Sequence, residues 1–291
     1  MSFPASTKQL TLAEFTHQIE QEFISGSEIA PALYATATRI VSDTEQQFGE
    51  ARYPIHEALN WRLTRFGQSA RSTMNAVLLQ QESGETWQAK LSTPRVDQKK
   101  TEKKGTTHYQ KYETPVGNGS RAFLPPIPLD IRQKIAQRFN LEISDDESFW
   151  QWVEAHPEID ITLTEGGKKG LSLLSGGEVV IALYGVNGGY HKLLNDSRQL
   201  ISDLARFCQS GRRITFAFDQ DAERETRQRV DIAQGRMGRL LAKAGCEVEI
   251  AQWDGRDGKG IDDLIANQGW QAWERQSLRP CLSPTGRFGN G

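Results

Sequence analysis

The second half of this 291-residue chain predicts an α/β fold built on a four-stranded parallel sheet with flanking helices, preceded by an α+β N-terminal region. Three observations carry that expectation. Short apolar runs recur at Ile159–Thr164, Val179–Tyr184, Ile214–Phe218 and Val248–Trp253, helical patterning separates them near 168–175, 196–209 and 223–244, and two of the runs end on carboxylates. Short apolar strands alternating with helices are the mark of a parallel sheet covered on both faces.

The elements before that sheet read in order as follows. Thr11 with Glu14 forms a capping box for a helix over 11–25, and Leu12, Phe15, Ile19 and Phe23 mark its apolar face. A second helix is expected from Glu28 to Val41. Alternating runs at Asn75–Leu79 and Thr86–Leu91, around Glu82-Ser83-Gly84-Glu85, predict a β-hairpin. Between Arg95 and Lys111, six basic and two acidic residues show no apolar period, which fits a solvated loop or a phosphate contact. Pro125-Pro126-Ile127-Pro128 punctuates the chain, and helices follow at 129–139 and 146–156. At about 150 residues per domain the length suggests two: an N-terminal region over 1–125 and an α/β domain over 126–278, with residues 279–291 as a disordered tail.

Bulk properties exclude several classes. A net charge of −2 rules out whole-chain basicity, so any nucleic acid must be held by local patches. Cys208, Cys246 and Cys281 form neither a disulfide framework nor a paired Cys-x-x-Cys zinc site. Met1-Ser2-Phe3-Pro4 has no signal pattern and no run approaches ~18 apolar residues, so no membrane partner and a cytoplasmic location are expected. There is no Gly-x-x-x-x-Gly-Lys-Ser/Thr loop for ATP.

The chemistry lies at the strand ends. Ile161-Thr162-Leu163-Thr164 runs into Glu165-Gly166, and Ile214-Thr215-Phe216-Ala217-Phe218 runs into Asp219-Gln220-Asp221. In a parallel sheet the carboxyl ends of strands line one edge, where ligands bind. Residues i and i+2 of an extended segment point the same way, so Asp219 and Asp221 can address one point. Carboxylates are hard oxygen ligands suited to Mg²⁺ (or Mn²⁺), and each alone is equally at home as a helix cap. Asp219 and Asp221 are candidate metal ligands, and Glu165 is a further ligand or an acid/base. Lys168 and Lys169 open the first crossover helix as candidate phosphate contacts. Arg224, Arg227, Arg229, Arg236, Arg239 and Lys243 make a basic stripe along 223–244 that suits a nucleic-acid backbone or a solvated face. Trp150 with Trp152, and Trp270 with Trp273, are core residues or base-stacking platforms.

The ordered pair Glu165-Gly166 and Asp219-x-Asp221 resembles the Toprim domain of topoisomerases, primases and related nucleases. Thr164-Glu165-Gly166-Gly167-Lys168-Lys169-Gly170, Ala182-Leu183-Tyr184-Gly185-Val186-Asn187-Gly188-Gly189 and Gly258-Lys259-Gly260-Ile261-Asp262-Asp263-Leu264-Ile265 are similar to the amino-terminal region of cyanobacterial plasmid replication proteins. The similarity extends over roughly Glu57 to Trp273. Gly170 departs from it, standing where alanine is expected.

The resemblance implies a Mg²⁺-dependent, primase-like nucleotidyl transfer on single-stranded or replication-origin DNA, with Glu165, Asp219 and Asp221 as catalytic residues. It implies also that Asp262 or Asp263 adds an acidic group near the metal, Asp263 being taken as the ligand. Lys259 would face phosphate with Lys168, Lys169, Arg224 and Arg227, and a separate helicase or ATPase would be a partner. Two rivals remain open on the sequence: a nuclease using the same carboxylates, and a non-catalytic DNA-binding module of the replication machinery.

Overall fold

The computed structural model describes residues 10–65 and 74–281, and most of the expected 279–291 tail lies outside the described residues. Two compact units emerge: Met1–Glu22 with Ala37–Gly119, and Phe23–Thr36 with Ser120–Gly291.

In the first unit the capping box forms as the sequence predicts. Thr11 Oγ1 accepts from the Glu14 amide at 3.2 Å, and the Glu14 carboxylate accepts from the Thr11 amide at 2.9 Å. Helix Leu12–Glu20 follows, passing into a π-helical turn at Gln21–Ser25. The helix expected over 28–41 is shorter, covering Pro31–Ala37 in a stretch that belongs to the second unit as far as Thr36, because Thr38–Ser42 leaves it as strand β1 of the first unit. The β-branched Thr38, Ile40 and Val41 favour that strand. A small hairpin of β2 (Glu45–Gln47) and β3 (Glu50–Arg52) comes next. β4 (Asn75–Gln80) and β5 (Thr86–Leu91) form the expected hairpin, and β1 adds antiparallel to β4 in the order β1-β4-β5.

Val41, Ile55, Leu59, Trp61, Leu78 and Ala89 form the core of this unit. Asp43 anchors helix Pro54–Ala58 by accepting from the amides of Ile55 at 2.9 Å and His56 at 3.1 Å, and it meets His56 Nδ1 at 2.5 Å. The basic stretch 95–111 is not a plain loop. It holds helix Gln98–Lys104, capped by Asp97 and closed by Gly105 at φ 67°, and Arg95 grips Glu113 through two hydrogen bonds of 2.6 and 2.5 Å.

The second unit is a mixed α/β domain. Its strands are β6 (Ile161–Glu165), β7 (Val180–Leu183), β8 (Tyr190–Lys192), β9 (Arg198–Leu200), β10 (Arg213–Phe216), β11 (Glu247–Gln252) and β12 (Ser277–Pro280). The main sheet has five strands in the order β12-β11-β10-β6-β7, parallel except for β12. The four predicted strands are present, and β12 is an addition at an edge where the tail was expected to begin. Pro280 is tolerated there because an edge strand leaves amide positions unpaired.

The helix expected over 196–209 is largely absent. β8 and β9 form a hairpin turned at Asn195-Asp196, and only Ser202–Ala205 is helical. Asn195 Oδ1 accepts from the Ser197 amide at 3.1 Å, an Asx turn that competes with a helix start, and Asp196 has φ 64°.

Helices Leu129–Arg138, Phe149–Ala155, Gly167–Ser175 and Arg224–Lys243 stand where the periodicity places them. Trp150 and Trp152 are core residues: both are buried, and their indole N–H groups donate to the carbonyls of Pro125 and Glu142 at 2.8 Å each. Trp273 is buried as well. Arg212, entirely buried, donates to the carbonyls of Val153 at 2.8 Å, His156 at 3.0 Å and Ile159 at 3.4 Å, fastening the segment before β6 to the start of β10. Among the described residues, no helix is long and apolar enough to cross a membrane.

Candidate functional site

The parallel register builds the site. Phe216 of β10 pairs with Leu163 of β6, so Glu165 lies two residues past the paired position on one strand and Asp219 three past it on the neighbour. Both carboxylates therefore emerge at the same sheet edge. Gly166, at φ 83°, turns the chain from β6 into helix Gly167–Ser175 at once, a conformation that favours glycine. That turn brings Lys169 over the edge. Its ammonium forms an ion pair with Asp219 and stands 3.9 Å from Glu165 Oε1.

The loop after β11 closes the site from the other side. The Gln220 amide donates to the Lys259 carbonyl at 2.9 Å, and Lys259 Nζ meets Asp221 Oδ1 at 3.0 Å. Gly260 leaves room at this point. A Cβ there would lie 2.7 Å from Lys169 Cε and 3.4 Å from Asp219 Oδ1, so a larger residue would push into the central ion pair. Asp263 accepts from the Gly260 amide at 3.1 Å and caps helix Ile261–Gln268. Its neighbour Asp262 is buried, accepting from Ser27 Oγ at 3.1 Å and meeting Lys168 Nζ at 3.4 Å.

Glu165, Lys169 and Asp219 thus form one cluster, Asp221 pairs with Lys259, and Lys168 pairs with Asp262. Asp263 is engaged as a helix cap. Arg224 and Arg227 lie on the opening turns of helix Arg224–Lys243. Two contributors escaped the sequence reading. Ser27 carries no signal, since it reaches Asp262 across 235 positions. Gly260 sits in a segment that was recognised, but its role in admitting Lys169 depends on tertiary packing.

The electrostatics follow from burial. Burial pushes the Glu165 carboxyl above its ordinary value; Lys169 opposes this, while the Asp219 charge and a hydrogen bond with Asp219 add to it. For Lys169, burial works against the charge, yet Asp219 and Glu165 outweigh it and hold the ammonium above the ordinary lysine value. Two carboxylates therefore share one cation, and the less well-paired Glu165 is the one disposed to carry a proton.

Among the described residues, no three His, Cys, Asp or Glu side chains gather as a ready metal cage. The donors at this edge nevertheless suit a hard divalent cation in kind, and the Lys169 ammonium beside Asp219 and Glu165 marks a place that holds positive charge.

No solved structure matches the chain. It is 39 % identical over 170 residues to an uncharacterized protein of Picosynechococcus sp. (strain ATCC 27264 / PCC 7002 / PR-6), an alignment that covers 56 % of this chain and 17 % of that protein. The chain thus matches only a minor part of that relative's length. Residues 149–272, the stretch that contains Glu165, Lys169, Asp219, Asp221, Lys259 and Asp263, match the family described as a domain of unknown function (DUF3854).

Proposed function

We propose that the second unit is a Toprim-like catalytic domain of plasmid- or phage-type DNA replication that performs primase-like nucleotidyl transfer on single-stranded DNA. The observation that carries this reading is the placement of Glu165 and Asp219 at the ends of adjacent parallel strands, across one partly buried lysine, with the Glu165 pKa raised. A carboxyl moved toward working pH is what general acid/base chemistry requires.

In the transfer, an attacking hydroxyl oxygen forms a bond to the α-phosphorus of a nucleotide and the bond to the β-phosphate breaks, so pyrophosphate leaves. The hydroxyl proton passes to Glu165. Asp219 and Asp221 would hold Mg²⁺ or Mn²⁺, and Lys168, Lys169 and Lys259 supply positive charge to the phosphates. The metal, when bound, supplies Lewis acidity and a clamp on attacking and leaving oxygens. Asp263, as a helix cap, supports the loop that carries Lys259 and need not reach the metal.

The test is a denaturing gel of end-labelled single-stranded DNA incubated with protein, Mg²⁺ or Mn²⁺ and labelled nucleotides, with Glu165→Gln alongside. New or extended labelled strands in the wild type alone are expected. Shortened DNA would make the same carboxylates those of a nuclease, and unchanged DNA in both lanes would leave a DNA-binding accessory module working with a separate helicase.

A further inference from the structure

A groove of about 840 Å³ opens off Asp219 and runs beside β10, β11 and the first turns of helix Arg224–Lys243. Its floor is buried and mostly apolar, made by Phe218, Ile250 and Gln234. Its rim is exposed and mostly polar, carrying Arg224, Arg227, Gln228, Asp231 and Gln252 together with Ile232. That size lies within the ~300–1,000 Å³ usual for small-molecule sites.

The distribution of ion pairs separates this groove from an ordinary solvated helix face. Arg229, which does not line it, pairs with Glu225 one turn back at 3.5 Å. Arg279 of β12 reaches the groove but stands 3.6 Å from Asp231. Arg224 and Arg227 make no ion pair with any described residue, so two guanidinium groups border the groove beside Asp219 with their charge uncommitted. Guanidinium groups match phosphate in geometry and charge. Glutamine amides carry a donor and an acceptor each, which suits the edge of a heteroaromatic base, and Phe218 with Ile250 offers that base an apolar seat.

From this arrangement we infer that the groove binds a nucleoside triphosphate, its phosphates on Arg224 and Arg227 beside the carboxylates and its base on the Phe218–Ile250 floor near the glutamines. The inference rests on the proposed transfer reaction, for which such a molecule is the nucleotide donor.

Calorimetric titration of the full chain with ATP, GTP and inorganic tripolyphosphate tests it, using wild type, Glu165→Gln, Gln252→Leu and the Arg224→Ala/Arg227→Ala double variant. Thermal melting of the double variant checks its fold, which two exposed arginines leave undisturbed. ATP or GTP is expected to bind wild type and Glu165→Gln alike. The arginine variant should lose at least about tenfold, the worth of one hydrogen bond to a charged group, and Gln252→Leu should weaken ATP without weakening tripolyphosphate. Tripolyphosphate bound as tightly as ATP would overturn the base seat. A wild type that acts on DNA yet binds no nucleotide in the arginine-dependent manner would overturn the groove and leave the catalytic reading standing. Nucleotide binding without any change to DNA would support the groove and remove the catalytic reading. Loss of single-strand binding in the arginine variant, with no nucleotide bound by wild type, would make this a strand-binding groove instead.

Discussion

Lys169 and Asp219 are joined by an ion pair although they come from different strand–helix connections, and Glu165 shares the same ammonium from 3.9 Å. One cation thus balances two carboxylates delivered by adjacent parallel strands. An arrangement of that kind is poised: removing Lys169 leaves two carboxylates uncompensated in a partly buried place.

The first consequence concerns pH. The Glu165 pKa is raised in the folded chain, so the folded state holds this proton more tightly than the unfolded state does. The resulting stabilisation is complete below the ordinary glutamate value and is lost as pH rises through the folded value. Glu165→Gln stays uncharged throughout, so it should match wild type in acid and become more stable than wild type toward neutral pH. Urea unfolding across a pH series measures this, and a difference independent of pH would refute burial as the cause.

Lys169→Met removes the shared cation. The variant should lose about 2 kcal/mol at neutral pH, less than a fully buried pair would forfeit because all three groups keep some exposure. If the carboxylates hold Mg²⁺, millimolar Mg²⁺ should raise its melting temperature more than that of wild type, because ligand binding to the folded state adds stability by mass action. Equal shifts in both proteins would argue against a metal beside Lys169.

Arg212 is a purely structural site. Arg212→Ala should cost roughly 3 kcal/mol or more, since several carbonyls lose a donor and a large buried volume empties. Arg212→Lys should recover little, because a compact ammonium cannot span carbonyls arranged for a planar fork. Chemical denaturation of both variants decides the matter; full rescue by lysine would mean that charge alone is required.

Gly238 lies in the middle of helix Arg224–Lys243, where alanine would ordinarily gain about 1 kcal/mol. A Cβ there would come within 2.5 Å of Cys281 Sγ, so Gly238→Ala should destabilise instead, by roughly 1–2 kcal/mol. Adding Cys281→Ala should recover much of the loss, giving a large coupling in a double-mutant cycle. Additive effects would show that the two positions do not touch.

The parts of this fold that are plain in the sequence are those made by local pattern. β6, β7, β10 and β11 are short apolar runs, and the Thr11–Glu14 box and the β4–β5 hairpin are equally local. β12 escapes because Ser277-Leu278-Arg279-Pro280 carries one aliphatic residue, and a strand at an edge buries too little to need more. β1 reads as helix in the sequence because Thr38–Val41 continues an apolar helical pattern, and only pairing with β4 decides it. The site was similarly half legible. Glu165 and Asp219 stand out as carboxylates at strand ends, whereas the ion pair that Lys169 makes with Asp219 depends on tertiary packing and has no local signal. Gly170 also finds its reason in packing: a Cβ there would approach Ala182 Cβ to 3.0 Å, so glycine lets the helix lie close on β7.

The chain visits the second unit twice, first with Phe23–Thr36 and then from Ser120 onward, and the early visit supplies Ser27 to Asp262 and the Ala30 amide to Ser175 Oγ at 2.8 Å. A fragment cut at residue 120 is therefore a receptor lacking its own inserted peptide. It should be a poor folder by itself and a good one when a synthetic peptide spanning residues 23–36 is supplied in trans, so fragment complementation, more than simple truncation, is the route to studying this unit in isolation.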